Sequence, residues 1–279
     1  SPILPLFTMK SFFALATLAT LAAAICDHGT TFFPRSVDEV HVADFGFNEL
    51  DGPLNWHALA PGNINCAKGK NQSPINLASS GWKTVAGSSL GFNINTVPNT
   101  GAKFLNLGST VEVVANGTLV RSGKTYNLVQ FHFHTPSEHR VDSEHYPMEV
   151  HFVFQAADAS LSVVGFLIEV GNASQALKLW PNVFKNLNDI RDPGTLTKTG
   201  PLSFNELKNH LAKSAVFQYS GSLTTPPCTQ NIAWNVVKQP VYIDLANYIK
   251  AKSVMKFNSR ITQNFPGEIN LIENACNSL

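Results

Sequence analysis

Charge is scarce in this chain. Lys, Arg, Asp and Glu supply 14% of 279 residues, and 20 basic side chains stand against 19 acidic ones. There is no basic block to meet a phosphate backbone or an anionic lipid surface, which argues against nucleic acid and membrane partners. A small neutral or anionic substrate fits better. Cysteines number four, and none sits in a CxxC pair, which disfavours a cysteine-based zinc site. After residue 24 no apolar stretch is long enough to span a bilayer, and no hydrophobic C-terminal tail of the anchor-signal type follows. Internal repeats and low-complexity tracts are missing too. Disorder is excluded by the 44% of hydrophobic residues, enough for a substantial core.

The N-terminal residues read as a targeting segment. Met9-Lys10 gives a short positive start, Ser11 to Ala24 is apolar, and Ala22-Ala23-Ala24 offers small residues for cleavage. Residues 1–25 are therefore expected to be a leader, leaving a secreted domain over 26–279 with no stable membrane anchor. Ser1 to Thr8 precede Met9, the expected initiator, and nothing in the sequence explains them. In an oxidising compartment Cys26, Cys66, Cys228 and Cys276 suggest two bridges, with three connectivities open. Cys26 and Cys276 flank the mature domain, so one bridge could tie its ends and leave Cys66 with Cys228.

Glycine and proline recur at short intervals from Gly81 to Gly123, and β-favouring runs lie between them. Ser109–Val114, Thr118–Arg121, Tyr126–His134, Met148–Gln155, Leu161–Val170, Val216–Tyr219 and Asn231–Val237 read as strands. Helix signals are fewer. Ser174–Asn186 has a capping-type start broken by Pro181, and Asp244 can cap a helix from Leu245 to about Met255. One mainly β domain is the economical architecture.

The chemistry concentrates in Gln130-Phe131-His132-Phe133-His134. Alternation in a strand puts Gln130, His132 and His134 on one face and Phe131 and Phe133 on the other. Met148–Gln155 repeats the pattern, with Glu149, His151 and Val153 on one face. Antiparallel pairing of the two segments would bring His151 beside His132 and His134. Three neutral imidazoles that leave a fourth position to water make a catalytic rather than a structural zinc arrangement. Zinc is favoured over copper because no cysteine or methionine lies nearby. Gln130 and Glu149 each stand two residues before a candidate ligand, placed to accept its second N–H.

Longer stretches carry a family resemblance. The run from Gln130 to His134, then Pro136-Ser137-Glu138-His139, then Glu149-Val150-His151, resembles the metal region of the α-class carbonic anhydrases. Gly221-Ser222-Leu223-Thr224-Thr225-Pro226-Pro227-Cys228 is similar to that family's gatekeeper loop. Asn71-Gln72-Ser73-Pro74-Ile75 and Asn258-Ser259-Arg260 resemble two further family elements. The resemblance implies a fold: mainly β (α+β), with a large twisted, mostly antiparallel central sheet and peripheral short helices. It also supports a Cys66–Cys228 bridge. It implies that zinc on His132, His134 and His151 activates water to a hydroxide that attacks CO₂, yielding bicarbonate and a proton. Thr224 would orient that hydroxide through Glu138, an effect of positioning. Val153, Val163, Leu223 and Ile232 would form the apolar CO₂ pocket, with Thr225 on the same wall.

The pattern departs from the family at the proton shuttle. Aligning Asn99-Thr100-Gly101 puts Ala102 where fast members carry a histidine, so proton transfer is expected to limit turnover. Phe47 and Leu105 replace polar cleft residues, and His139 reads as structural. Other readings are a catalytically silent binding or storage protein on the same scaffold, and a zinc esterase. Monomer and homodimer are both compatible. Asn71, Asn116 and Asn172 begin N-glycosylation sequons, with Asn71 expected to be packed.

Overall fold

Alternation of side chains builds the architecture. The computed structural model describes residues 40–277, in which the apolar-polar segments pair into an eleven-stranded sheet. Its strands are β1 Thr84–Ala86, β2 Asn93–Ile94, β3 Lys103–Asn106, β4 Val111–Val113, β5 Gly117–Arg121 and β6 Lys124–His134. They continue with β7 Met148–Ala156, β8 Leu161–Gly171, β9 Leu196–Lys198, β10 Ala215–Ser222 and β11 Gln230–Asp244. The main path runs β9-β3-β4-β6-β7-β8-β11-β10-β1, with β5 bridging β2 and β6. Within this sheet β8–β11 is parallel and the other pairs are antiparallel.

Turn chemistry sets the register of the central strands. Arg121 pairs with Lys124 across a two-residue turn, and Ser122 and Gly123 both have positive φ, 51° and 77°. Such a turn matches the natural strand twist. From there β6 runs eleven residues to His134. A slip of one residue would bury the imidazoles in the core and expose the phenylalanines, so one register is strongly preferred.

The sheet has two chemically different faces. On one, Phe131 and Phe133 of β6 meet Val150, Phe152 and Phe154 of β7 in the larger core, closed by Trp180 and Phe184. The rings of Phe131 and Phe152 stack at 4.8 Å. Full burial of each such side chain contributes about 1.5–3 kcal/mol. This face is the foundation on which the histidines of the other face stand.

Three helices bear on the argument: α1 Leu179–Val183, α2 Asn205–Lys213 and α3 Leu245–Met255. Asp244 caps α3, its carboxylate accepting from the Asn247 N–H at 3.0 Å. The helix expected over Ser174–Asn186 is shorter. Asn172 instead forms a turn, its Oδ1 accepting from the N–H and hydroxyl of Ser174. The helix begins at Leu179, so Pro181 falls in its first turn, where a missing N–H costs nothing.

Cys66 and Cys228 are bonded, tying together segments 162 residues apart. Cys276 is an exposed free thiol, while Cys26 and the expected leader lie outside the described residues. Asn116 and Asn172 are exposed; Asn71 is half-buried, its N–H donating to Gln230 Oε1. No described helix is long and apolar enough to cross a membrane.

Candidate metal centre

The ladder aligns the site across eight strands. A continuous row of directly opposed residues runs Leu196, Leu105, Glu112, His132, His151, Gly165, Val236 and Phe217. Directly opposed residues share a face. Thus His132 and His151 project together, and His134, opposite Glu149, projects from the next pair of the same face. The next neighbour in the row is Gly165, where a Cβ would stand 3.0 Å from Glu149 Oε1 and 3.5 Å from the His151 ring. The missing side chain leaves room for that carboxylate.

The three imidazoles converge. Ring centroids lie 5.1 Å apart for His132–His134, 5.3 Å for His132–His151 and 4.6 Å for His134–His151. One nitrogen from each falls within 4.8 Å of the others. The opposite nitrogen of each is engaged by an oxygen at 2.8 Å. His132 Nδ1 donates to Gln130 Oε1, His134 Nδ1 to the Asn258 carbonyl, and His151 Nε2 to Glu149 Oε1. These bonds put the hydrogens on the outer nitrogens, so the inner ones present lone pairs.

Electrostatics agree with that tautomer. Burial lowers the pKa of His134 to about 4, outweighing the Asn258 carbonyl, which raises it. Burial also lowers His151, against the opposing pull of Glu149. Both rings are neutral at pH 7. His134 Nε2 is buried and makes no hydrogen bond, an orphan that a cation would satisfy. Three converging imidazole nitrogens fit zinc.

Glu138 overlooks the same point. Its Oε1 accepts from the Arg260 N–H at 2.9 Å, while Oε2 stands 3.5 Å from His134 Nε2 and 3.9 Å from His151 Nδ1. Among the protein groups alone, burial pushes the Glu138 carboxyl up to about 7; His151, the Thr224 hydroxyl and the Arg260 N–H pull the other way. A cation among the imidazoles would favour the carboxylate further. Val153, Val163, Leu223 and Ile232 are buried in one cluster with Trp234, whose ring lies 4.8 Å from that of His151. Thr224 is buried and Thr225 half-buried in the loop after β10.

Beneath the imidazoles lies a polar chain. Glu149 is fully buried and accepts four hydrogen bonds: from the N–H groups of Glu138 and His139, from His139 Nδ1, and from His151 Nε2. His139 Nε2 then meets Tyr219 OH at 2.7 Å, which meets Ser73 Oγ at 2.7 Å. Burial, the largest influence on Glu149, favours the acid. Electrostatic attraction to His139 and His151 and the hydrogen bonds they donate outweigh it and hold the pKa well below the usual range.

Ala102 sits at the buried start of β3. Its N–H donates to Thr199 Oγ1, its carbonyl accepts from the Thr199 N–H, and its methyl belongs to the larger core. Leu105 is on the site face by register, and Phe47 packs edge-on against Phe45 and Trp56. Three features escape sequence reasoning. The Asn258 carbonyl is a backbone group 124 residues from His134. Tyr219 and Ser73 join the site only through the fold. Glu112, a fully buried carboxylate, lies opposite His132; its signal was a charged residue within a run of valines.

The profile of the eukaryotic-type carbonic anhydrase family matches residues 51–271. A carbonic anhydrase of Pectobacterium carotovorum is 33% identical over 245 residues, covering 85% of this chain and 93% of its own length. A fungal α-carbonic anhydrase structure from Aspergillus oryzae superposes with a TM-score of 0.81 at 44% identity, covering 84% of this chain and 99% of that one. An α-carbonic anhydrase from Thermovibrio ammonificans, solved with the inhibitor sulfanilamide, gives 0.69 at 32% identity over 81% and 97% of the two chains.

Proposed function

The chain belongs to the eukaryotic-type carbonic anhydrase family, and from that membership we propose that it catalyses the reversible hydration of carbon dioxide to bicarbonate and a proton, with zinc held by His132, His134 and His151. One observation carries the reading. Three imidazoles converge on a point with their outer nitrogens locked by Gln130, Asn258 and Glu149. A bound zinc ion supplies the Lewis acidity that makes water a nucleophile near neutral pH.

The protein's own groups do the rest. Trp234, Val153, Val163, Leu223 and Ile232 offer an apolar wall, suited to a substrate with no net dipole and hostile to competing solvent. Glu138, fixed by the Arg260 N–H, acts with the Thr224 hydroxyl to orient the attacking oxygen, which lowers the barrier through positioning. The backbone N–H of Thr224 is the candidate donor to charge developing on a substrate oxygen. Intact ligands and an intact Glu138–Thr224 pair argue for an enzyme rather than a silent binding or storage protein, and ester hydrolysis is a side reaction of the same centre.

Ala102 offers no proton acceptor, so proton export limits turnover. Turnover then rises with the concentration of a small buffer such as imidazole. Zinc analysis and stopped-flow CO₂ hydration on wild type and His151→Ala test the whole reading. Loss of both zinc and hydration in the variant is expected. A variant that keeps both, or a wild type that binds zinc without hydrating CO₂, overturns it. The leader-like N-terminus supports a secreted enzyme, and secretion is tested by sequencing the N-terminus of protein recovered from medium.

A further inference from the structure

We propose that Asn258-Ser259-Arg260 is a brace laid along His134–Glu138, and that its two ends position separate parts of the reaction. The Asn258 side chain aims the His134 ring at the metal, and the Arg260 side chain holds Glu138 in the orientation that serves the attacking oxygen. This rests on the reading of the chain as a zinc-dependent CO₂ hydratase.

The founding observation is where polar residues are buried. Asparagine, serine and arginine ordinarily lie at the surface. Asn258, Ser259 and Arg260 are each no more than 2% exposed, in a segment that is neither helix nor strand. A buried loop must find partners for its polar groups. This one finds them on the residues that end and follow β6, in the same order along both segments. The Asn258 N–H donates to the Thr135 carbonyl at 3.1 Å, and its carbonyl accepts from His134 Nδ1 at 2.8 Å. The Ser259 hydroxyl donates to the Pro136 carbonyl. The Arg260 N–H donates to Glu138 Oε1 at 2.9 Å. The pairing thus runs from the imidazole to the carboxylate that overlooks it.

Each end is anchored in a different part of the fold. Asn258 Oδ1 accepts from the Thr135 N–H at 2.7 Å, and Nδ2 donates to the carbonyls of Phe133 at 2.9 Å and Ser109 at 3.0 Å. These bonds stop the amide from turning and hold the neighbouring carbonyl on His134 Nδ1. The Thr135 hydroxyl donates to the Lys256 carbonyl and pins the turn out of α3, where Lys256 has a φ of 59°. That conformation is costly for a lysine and persists only when its surroundings enforce it. At the other end the Arg260 guanidinium donates to the carbonyls of Ser73 at 2.7 Å and Cys66 at 3.3 Å, 187 and 194 residues away in sequence. It lies over the Trp56 ring, 5.7 Å from the centroid. A buried guanidinium is costly to keep. What these bonds secure is the position of its own N–H, and through that of Glu138. The two sets of anchors share no residue, so the ends can be loosened one at a time.

Two substitutions in the full chain provide the test. Asn258→Asp keeps the oxygen that serves Thr135 but sets a second oxygen against the Phe133 and Ser109 carbonyls. Arg260→Lys keeps the cation but loses the fork that reaches both Ser73 and Cys66. Competition with a chromophoric chelator measures zinc affinity. Stopped-flow CO₂ hydration at saturating zinc gives kcat/KM, which covers only the steps before proton export. Asn258→Asp is expected to lower zinc affinity by on the order of tenfold and to leave kcat/KM within about threefold. Arg260→Lys is expected to do the reverse, lowering kcat/KM by on the order of tenfold and leaving zinc affinity within about threefold. A general loosening of the fold would move both quantities in both variants, so the crossed pattern separates positioning from stability. NMR of metal-stripped protein is a readout apart from activity: the His134 Nδ1–H signal is expected to survive in Arg260→Lys and to exchange away with solvent in Asn258→Asp. Ser259→Gly frees the middle of the brace, leaves both anchors in place and serves where an end variant fails to fold; both quantities are expected to fall by about threefold. Zinc affinity and kcat/KM falling together in each end variant, or neither moving in any of the three, overturns the brace and leaves the hydratase reading standing. A wild type that binds zinc without hydrating CO₂ overturns that reading and the Arg260 half with it, while zinc affinity and NMR still decide the Asn258 half.

Discussion

Replacing Glu149 by Gln removes one charge and almost no volume, yet it should disable the metal centre. The carboxylate accepts from four donors, two on each oxygen. Glutamine has one accepting oxygen and one donating NH₂. If its oxygen faces His139 and His151, the NH₂ confronts the N–H groups of Glu138 and His139, and two buried donors lose their acceptor. Each stranded group costs about 1–3 kcal/mol, so the fold loses about 2–6 kcal/mol. If the amide flips, its NH₂ donates to His151 Nε2, and the imidazole hydrogen must move to Nδ1, the nitrogen that faces the ion. Either orientation is penalised, and loss of such an outer partner typically lowers metal affinity 10–100-fold. Competition with a chromophoric chelator measures zinc affinity, and urea unfolding of metal-stripped protein measures the stability term. Affinity within about threefold of wild type, together with an unchanged unfolding midpoint, would refute the four-acceptor account.

Gly165→Ala places a methyl carbon 3.0 Å from Glu149 Oε1 and should weaken zinc binding by displacing that carboxylate; an unchanged chelator titration would show that the carboxylate has room to move. In metal-stripped protein, His134 has a pKa lowered from 6.5 to about 4. Below pH 6.5 the unfolded chain binds a proton that this folded ring refuses, which costs stability as pH falls from 6.5 to 4, while Glu138, raised to about 7, takes up its proton in the folded state and offsets that loss. NMR of the His134 ring in metal-stripped protein separates the two: a ring that protonates near pH 6.5 contradicts a buried neutral imidazole. Asp244→Ala removes the α3 cap and should cost about 1 kcal/mol, a shift of about 2 °C in Tm by calorimetry. Loss of CO₂ hydration in that variant without loss of stability would be unexpected, because Asp244 is remote from the ligands in the ladder.

Much was legible because the decisive signal is local. Gln130-Phe131-His132-Phe133-His134 encodes its two faces through the period of a strand, and nothing distant has to be known to read it. The same holds for Glu149 and His151, and for Asp244 with its helix. Where local reading failed, another constraint prevailed. Ser174–Asn186 carries helix-like spacing, but Asn172 captures the Ser174 N–H and hydroxyl, and Pro181 is admitted only where a first turn needs no donor. The place of Ala102 in the larger core was not legible, because it comes from two hydrogen bonds to Thr199 across the sheet edge.

The amino-acid order by itself determined which side chains share a face, and with it the set of candidate imidazoles, because alternation is a property of one strand. Only the tertiary structure decided what stands behind those rings. The Asn258 carbonyl reaches His134 from 124 residues away, and Tyr219 meets His139 from 80. Neither contact leaves a local pattern. A backbone carbonyl is present at every residue, so its position is selected by packing alone, and packing belongs to the whole chain.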